Sequence, residues 1–157
     1  YNNDGSDAEL CINGVRCVAK YALDNNYLNV SRFIVKAPVG DLEVNVDQNI
    51  VEVSTPIPTF ENEKIKVNTE VLNKNIFPDG VNVEIYQIIS RHYIKARVYE
   101  RGVGETDACG SGALCIFNYL SKTDQIENNS YVMYPGGDLN LRFENERLYL
   151  SGEVIYL

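Results

Sequence analysis

The chain has 157 residues, of which 45% are hydrophobic and 23% charged, enough apolar content for a packed core in one domain or two small ones. A formal net charge of −8 and a pI ≈ 4.6 argue against non-specific nucleic-acid binding, which needs clustered Lys and Arg. No apolar run approaches the roughly 18 residues of a membrane span. Four cysteines and a single histidine, His92, leave little material for a disulfide scaffold, a zinc site or Ser-His-Asp chemistry. The acid–base groups of an enzyme with this composition are Cys, Asp, Glu, Lys or Tyr.

The chain opens at Tyr1, with neither Met nor a charged-then-apolar leader, and reads as a fragment or processed chain without a secretory signal. A polar, glycine-bearing segment ends at Cys11, and a helix is predicted from Ile12 to about Asp24. The strand "SRFIVKA" and a Pro-x-Gly-Asp turn at Pro38 follow. Two alternating strands, with Leu42, Val44 and Val46 and then Val51 and Val53, flank the turn Asp47-Gln48-Asn49. "STPIPTFENEK", Ser54 to Lys64, is Pro-rich and polar and reads as a link, which divides the chain into residues 1–60 and 61–157. The last strand is a candidate to return to the first half. Beyond the link come the strands "VNVEIYQII" and "HYIKARVY", a second cysteine segment, a helix from Gly110 to about Ser121, the strand "SYVMY" and another hairpin.

The order of elements is a duplication. Tyr1 aligns with Tyr99, Cys11 with Cys109, Gly14 with Gly112, Cys17 with Cys115 and Tyr21 with Tyr119. With a one-residue change of offset, "PVGDLEVNVDQNIVEVS" aligns with "PGGDLNLRFENERLYLS". Two collinear blocks predict two halves built alike. The first half has no counterpart of "VNVEIYQII" and "HYIKARVY", so at least two strands are expected to be missing from it.

Cys11 and Cys109 fall at the starts of their helices, where unpaired N–H groups and the helix dipole favour thiolate. Cys17 and Cys115, six residues on, point elsewhere and read as small buried packing residues. Two similar halves would bring both helix N-termini to one cleft. A thiolate and a thiol on opposite faces of a substrate are what a racemase needs. Backbone N–H groups of the helix ends and Arg101 are the donors that would stabilise the carbanion through its carboxylate. Thiols facing across an empty cleft are also expected to join as a disulfide under mild oxidation. Cysteines after glycine-rich turns are more often structural, and the spacing alone leaves that reading open.

"YNNDGSDAELCINGVRC" and "RVYERGVGETDACGSGA" resemble the two signature blocks of the diaminopimelate epimerase family, the second nearly throughout. The resemblance runs from Tyr1 to about Tyr156. It implies an α/β fold of α+β type: two pseudo-symmetric halves, each a barrel-like mixed or antiparallel sheet around a central helix, with the N-terminal half incomplete. It implies interconversion of LL- and meso-diaminopimelate without pyridoxal phosphate, metal or other cofactor. Cys109 would accept and Cys11 donate the proton in the LL-to-meso direction. Substrate contacts would fall on Asn2, Ile12, Asn13, Asn82, Glu100, Arg101, Gly110 and Ser111. The implied protein is a cytoplasmic homodimer with a small amino-acid substrate and no nucleic-acid or membrane partner. The chain departs from the family in three ways. Ile12 stands where "CGNG" has glycine, the Gly-Asn-Pro-His motif is absent, and the family's N-terminal segment has no counterpart. The competing readings are a proline racemase-like enzyme of the same fold, a related isomerase that uses a carboxylate in place of a cysteine pair, and a non-catalytic relic that binds a ligand or partner.

Overall fold

A computed structural model describes residues 10–59, 77–78 and 80–156. The elements in chain order are α1 (Ile12–Asp24), β1 (Arg32–Ala37), β2 (Gly40–Asp47), β3 (Ile50–Thr55), β4 (Val83–Ser90), β5 (Tyr93–Glu100), β6 (Gly104–Thr106), α2 (Gly110–Lys122), β7 (Asn129–Tyr134), β8 (Gly137–Glu144) and β9 (Arg147–Glu153). The strands form one nine-stranded sheet in the order β1-β2-β3-β9-β8-β7-β5-β4, with β6 pairing on β5. Neighbours are antiparallel except β5 and β7, which run parallel.

The duplication is visible in the register. β1 and β2 close at Ala37 and Gly40; β7 and β8 close at Tyr134 and Gly137. Both turns need a positive φ, +115° at Gly40 and +134° at Gly137, a region only glycine enters cheaply. β2–β3 and β8–β9 are the second hairpin of each half, turning through Gln48 and through Asn145-Glu146, all with positive φ.

β9 is the seam. It pairs with β8 on one side and with β3 on the other, Val53 opposite Leu150 and Ser54 opposite Tyr149. Ser54 and Thr55 therefore belong to a buried strand and not to the link, a correction to the boundary read from sequence. Their polar, Pro-flanked context hides a pairing that only the distant β9 supplies. Because side chains alternate along each strand, the register places Val44, Val53, Leu150 and Leu141 in one buried row across four strands. Both helices contribute to the single core this row anchors. α1 contacts β2 and β3, while α2 contacts β4, β7, β8 and β9. Asn118 of α2 donates to the Pro58 carbonyl at 2.8 Å, which ties the described start of the link to the second helix.

Candidate functional site

Two helices that begin side by side define the site. Gly110, the first residue of α2, is buried against α1. A Cβ there would lie 3.0 Å from the Ile12 Cβ and 3.1 Å from the Asn13 Oδ1. Asn13 bridges the same junction, its Nδ2 donating to the Ala108 carbonyl at 3.5 Å. Arg16 donates to the Asn13 Oδ1 at 3.1 Å and to the Glu153 carbonyl at 2.7 Å, which locks the first turn of α1 to β9. The segment entering α2 is held from the far side, since Gly136 donates its N–H to the Asp107 carbonyl at 2.9 Å. A side chain at Gly136 would collide with Asp107.

Cys11 and Cys109 are the N-cap residues of α1 and α2, so each sulfur stands at the positive end of a helix. They differ in surroundings. Cys11 is exposed and its side chain makes no cap hydrogen bond. Cys109 is 6% exposed; its Sγ accepts from the Gly112 N–H at 3.4 Å and lies 3.3 Å from the Ser111 Oγ. Burial pushes the Cys109 thiol up, outweighing the hydroxyl of Ser111 and the N–H of Gly112, and Glu100 and Glu84 add to the rise. This corrects the expectation that a helix N-terminus alone leaves that thiol easy to ionise. Cys17 and Cys115 are corrected as well: both are exposed. In α1 the buried stripe runs through Ile12, Arg16, Ala19 and Lys20 and passes Cys17 by. All four cysteines are free thiols.

Of the other residues named from sequence, Asn2 is outside the described residues. Ile12 turns its side chain into the core, so its backbone amide is what it can offer a ligand. Asn82 accepts at Oδ1 from the Arg101 backbone N–H at 2.7 Å, fixing the tight turn after β5. Glu100 ends β5, accepts from the Thr106 hydroxyl and acts electrostatically on Cys109. Arg101 is exposed beside Gly80. Gly110 and Ser111 form the first turn of α2.

Glu84 and Tyr134 were missed. In β4 Ile85 is exposed, and Glu84 sits opposite Val98 on the buried face of β5. The Tyr134 hydroxyl donates to the Glu84 Oε2 at 3.0 Å. The Glu84 Oε1 is shielded from solvent with no hydrogen-bond partner among the described residues. Burial raises the Glu84 carboxyl to about 7, against the opposing hydrogen bond from Tyr134. Burial also pushes the Tyr134 phenol up, and Glu84 adds to it. The signal that could have found Glu84 is that it is the one charged side chain in the strand "VEIYQIIS".

A cleft of ≈ 970 Å³ opens beside the helix junction, lined by Asn13, Arg16, Cys17, Ala108, Asp138 and neighbouring residues of β8 and β9. Neither Cys11 nor Cys109 lines it, so the case for proton chemistry rests on the helix ends and not on that cleft.

The fold is shared with solved structures. It superposes on a phenazine biosynthesis PhzF-family protein from Enterococcus faecalis with a TM-score of 0.69 at 15% identity, covering 93% of this chain and 70% of that one. A phenazine biosynthesis PhzC/PhzF protein from Clostridium difficile gives 0.67 at 17% identity, covering 97% and 73%. These likenesses describe the fold. The family is given by sequence: the diaminopimelate epimerase family model matches residues 52–157. The diaminopimelate epimerase of Brachyspira hyodysenteriae is 34% identical over 99% of this chain and 74% of its own length. That of Methanocella arvoryzae is 31% identical over 99% and 73%. The chain belongs to the diaminopimelate epimerase family, a family of isomerases. The first of these alignments spans 210 positions against a chain of 157 residues, so that relative carries residues with no counterpart here. Among the described residues, no helix is long and apolar enough to cross a membrane.

Proposed function

We propose that this chain interconverts LL- and meso-diaminopimelate by proton transfer between two cysteines, in lysine and peptidoglycan-precursor synthesis. In the LL-to-meso direction Cys109 takes the α-proton and Cys11 delivers one to the opposite face. The observation that carries this reading is the meeting of two helix N-termini, each capped by a cysteine, at Gly110 against Ile12 and Asn13. Converging N–H groups suit a substrate carboxylate and the charge that builds on it as the α-proton leaves. Glu100, Arg101, Asn82, Asn13 and Ser111 supply the polar surroundings, and no cofactor enters the scheme. The working form in this reading is a cytoplasmic homodimer.

The test is incubation with LL-diaminopimelate in deuterium oxide, followed by mass analysis. One deuterium at an α-carbon together with meso product is expected. Absence of exchange at any protein concentration overturns the reading. Exchange on L-proline but not on diaminopimelate would assign the chain to a sister racemase. A ligand-binding role without turnover is the second reading. The near-complete burial of Cys109 favours it, and the same measurement separates the two.

A further inference from the structure

Glu84 has no place in the two-cysteine scheme, yet its carboxyl is built into the wall around Cys109. Gly112 is the joint. Its N–H points at the Cys109 Sγ at 3.4 Å, and a Cβ on Gly112 would fall 1.6 Å from the Glu84 Oε1. The carboxyl thus rests directly on the residue that caps the thiol. Tyr134, from β7, holds the other oxygen at 3.0 Å. This is a carboxylate seated at a sulfur that must change its charge, with one oxygen fixed and the other unpaired.

We propose that Glu84 controls the ionisation of Cys109: the neutral acid admits the thiolate, and the carboxylate holds the thiol. Glu84 is a positioning residue acting through Cys109, and its bearing on turnover rests on the reading of Cys109 as a proton-transfer group. The physical reason is that two like charges at one shielded site are costly, so the two groups titrate as a coupled pair. The titratable groups facing Glu84 are Glu100 from β5, Cys109 and Cys115 from α2, and Tyr134 from β7. Glu100 opposes ionisation of Glu84 as a like charge. Tyr134 favours it as a donor and Cys109 acts in the same direction, so burial and these three groups set the pH at which the control passes from one state to the other.

The experiment is a pH titration of the substrate-free protein carrying 13Cβ-labelled cysteine, with the Cys109 signal identified by its loss in Cys109→Ala. Wild-type Cys109 is expected to show a small inflection near pH 7, from Glu84, below its own thiol transition. In Glu84→Gln the inflection disappears and the thiol midpoint falls by on the order of one pH unit, equivalent to about tenfold more thiolate below both midpoints. In Tyr134→Phe the inflection moves to higher pH, because Glu84 loses the donor that favours its charge. Identical curves in wild type and Glu84→Gln overturn the proposal. Should Glu84→Gln not fold, Tyr134→Phe decides: a raised inflection supports it and an unmoved one overturns it. No substrate is present, so this result stands or falls separately from deuterium exchange.

Discussion

α1 and α2 occupy equivalent places in the repeat, yet they are packed differently. Eight residues of α2 are buried, from Gly110 to Leu120, leaving open the face of Cys115 and Tyr119. In α1 only Ile12, Arg16, Ala19 and Lys20 are buried, a single stripe at helical spacing. At matched positions Phe117 answers to Ala19, Leu114 to Arg16 and Leu120 to Ala22. Val18 is 68% exposed where Ile116 is 4% exposed. The strands account for the difference. α2 packs against four strands, β4, β7, β8 and β9, whereas α1 packs against two, β2 and β3. A helix packed against more strands can bury large apolar residues over a wider arc. A helix packed along a single stripe carries small residues and snorkelling cations, such as Lys20, which reaches Asp24 at 2.5 Å. The two cysteines inherit this asymmetry, with Cys109 enclosed and Cys11 open.

The comparison breaks most sharply at the thiols. If both act as acid and base, Cys109→Ser and Cys11→Ser should each lower epimerisation by about 10²–10⁴-fold, the usual contribution of a positioned proton-transfer group. Turnover of LL-diaminopimelate at matched protein concentration measures it. Near wild-type turnover in the Cys11 variant alone would mean that the exposed half contributes structure and not chemistry.

Stability should be as unequal as burial. Ile116→Ala empties a filled site in α2 and should cost about 2–5 kcal/mol. Val18→Ala, at the matched position of α1, should change stability by less than about 0.5 kcal/mol. Urea unfolding of both variants gives the two numbers. Equal losses would show that the outward face of α1 is covered in solution.

The matched glycines give a finer test. Alanine at Gly112 would push a methyl into the Glu84 carboxyl and should cost about 1–3 kcal/mol as overpacking. Alanine at Gly14 meets the Cys11 Sγ at 3.1 Å, the end of an exposed side chain that can turn away. The gain in helix propensity, up to about 1 kcal/mol, then offsets the crowding. Thermal or urea midpoints should therefore fall for Gly112→Ala and stay near wild type for Gly14→Ala.

Much of this architecture was legible in the sequence because the repeat states it twice. Both helices begin where the residue after each cysteine was expected to start them, and both hairpins turn where the Pro-x-Gly-Asp and polar signals place them. Local chemistry decides such elements. What could not be read depends on partners far along the chain. Ser54 and Thr55 look like linker until β9 pairs with them. On β4 it is the register on β5 that turns Glu84, and not Ile85, to the buried side. For the site, Ile12, Asn13 and Gly110 meet at the helix junction, but the ionisation of Cys109 follows from burial, which spacing does not encode.

The smallest expected effect is also the one that separates the halves by sign. In the α1 half, Lys20 and then Tyr156 hold the Asp24 carboxyl below its ordinary range. A depressed folded-state value adds stability that is present above the unfolded value of 3.8 and lost as pH falls through the folded one. In the α2 half, Glu84 is raised from 4.5 to about 7, so folding favours its neutral form. Its contribution is full below pH 4.5 and is lost as pH rises towards 7. Asp24→Asn should therefore flatten the stability profile only on the acid side, below about pH 4. Glu84→Gln should flatten it between about pH 4.5 and 7 and leave the acid side as it is. Urea midpoints across pH 3–8 resolve the two windows. A Glu84→Gln profile parallel to wild type from pH 4.5 to 7 would mean that the carboxyl ionises freely in the folded protein, and the enclosed half would then lack the buried charge that distinguishes it from the open one.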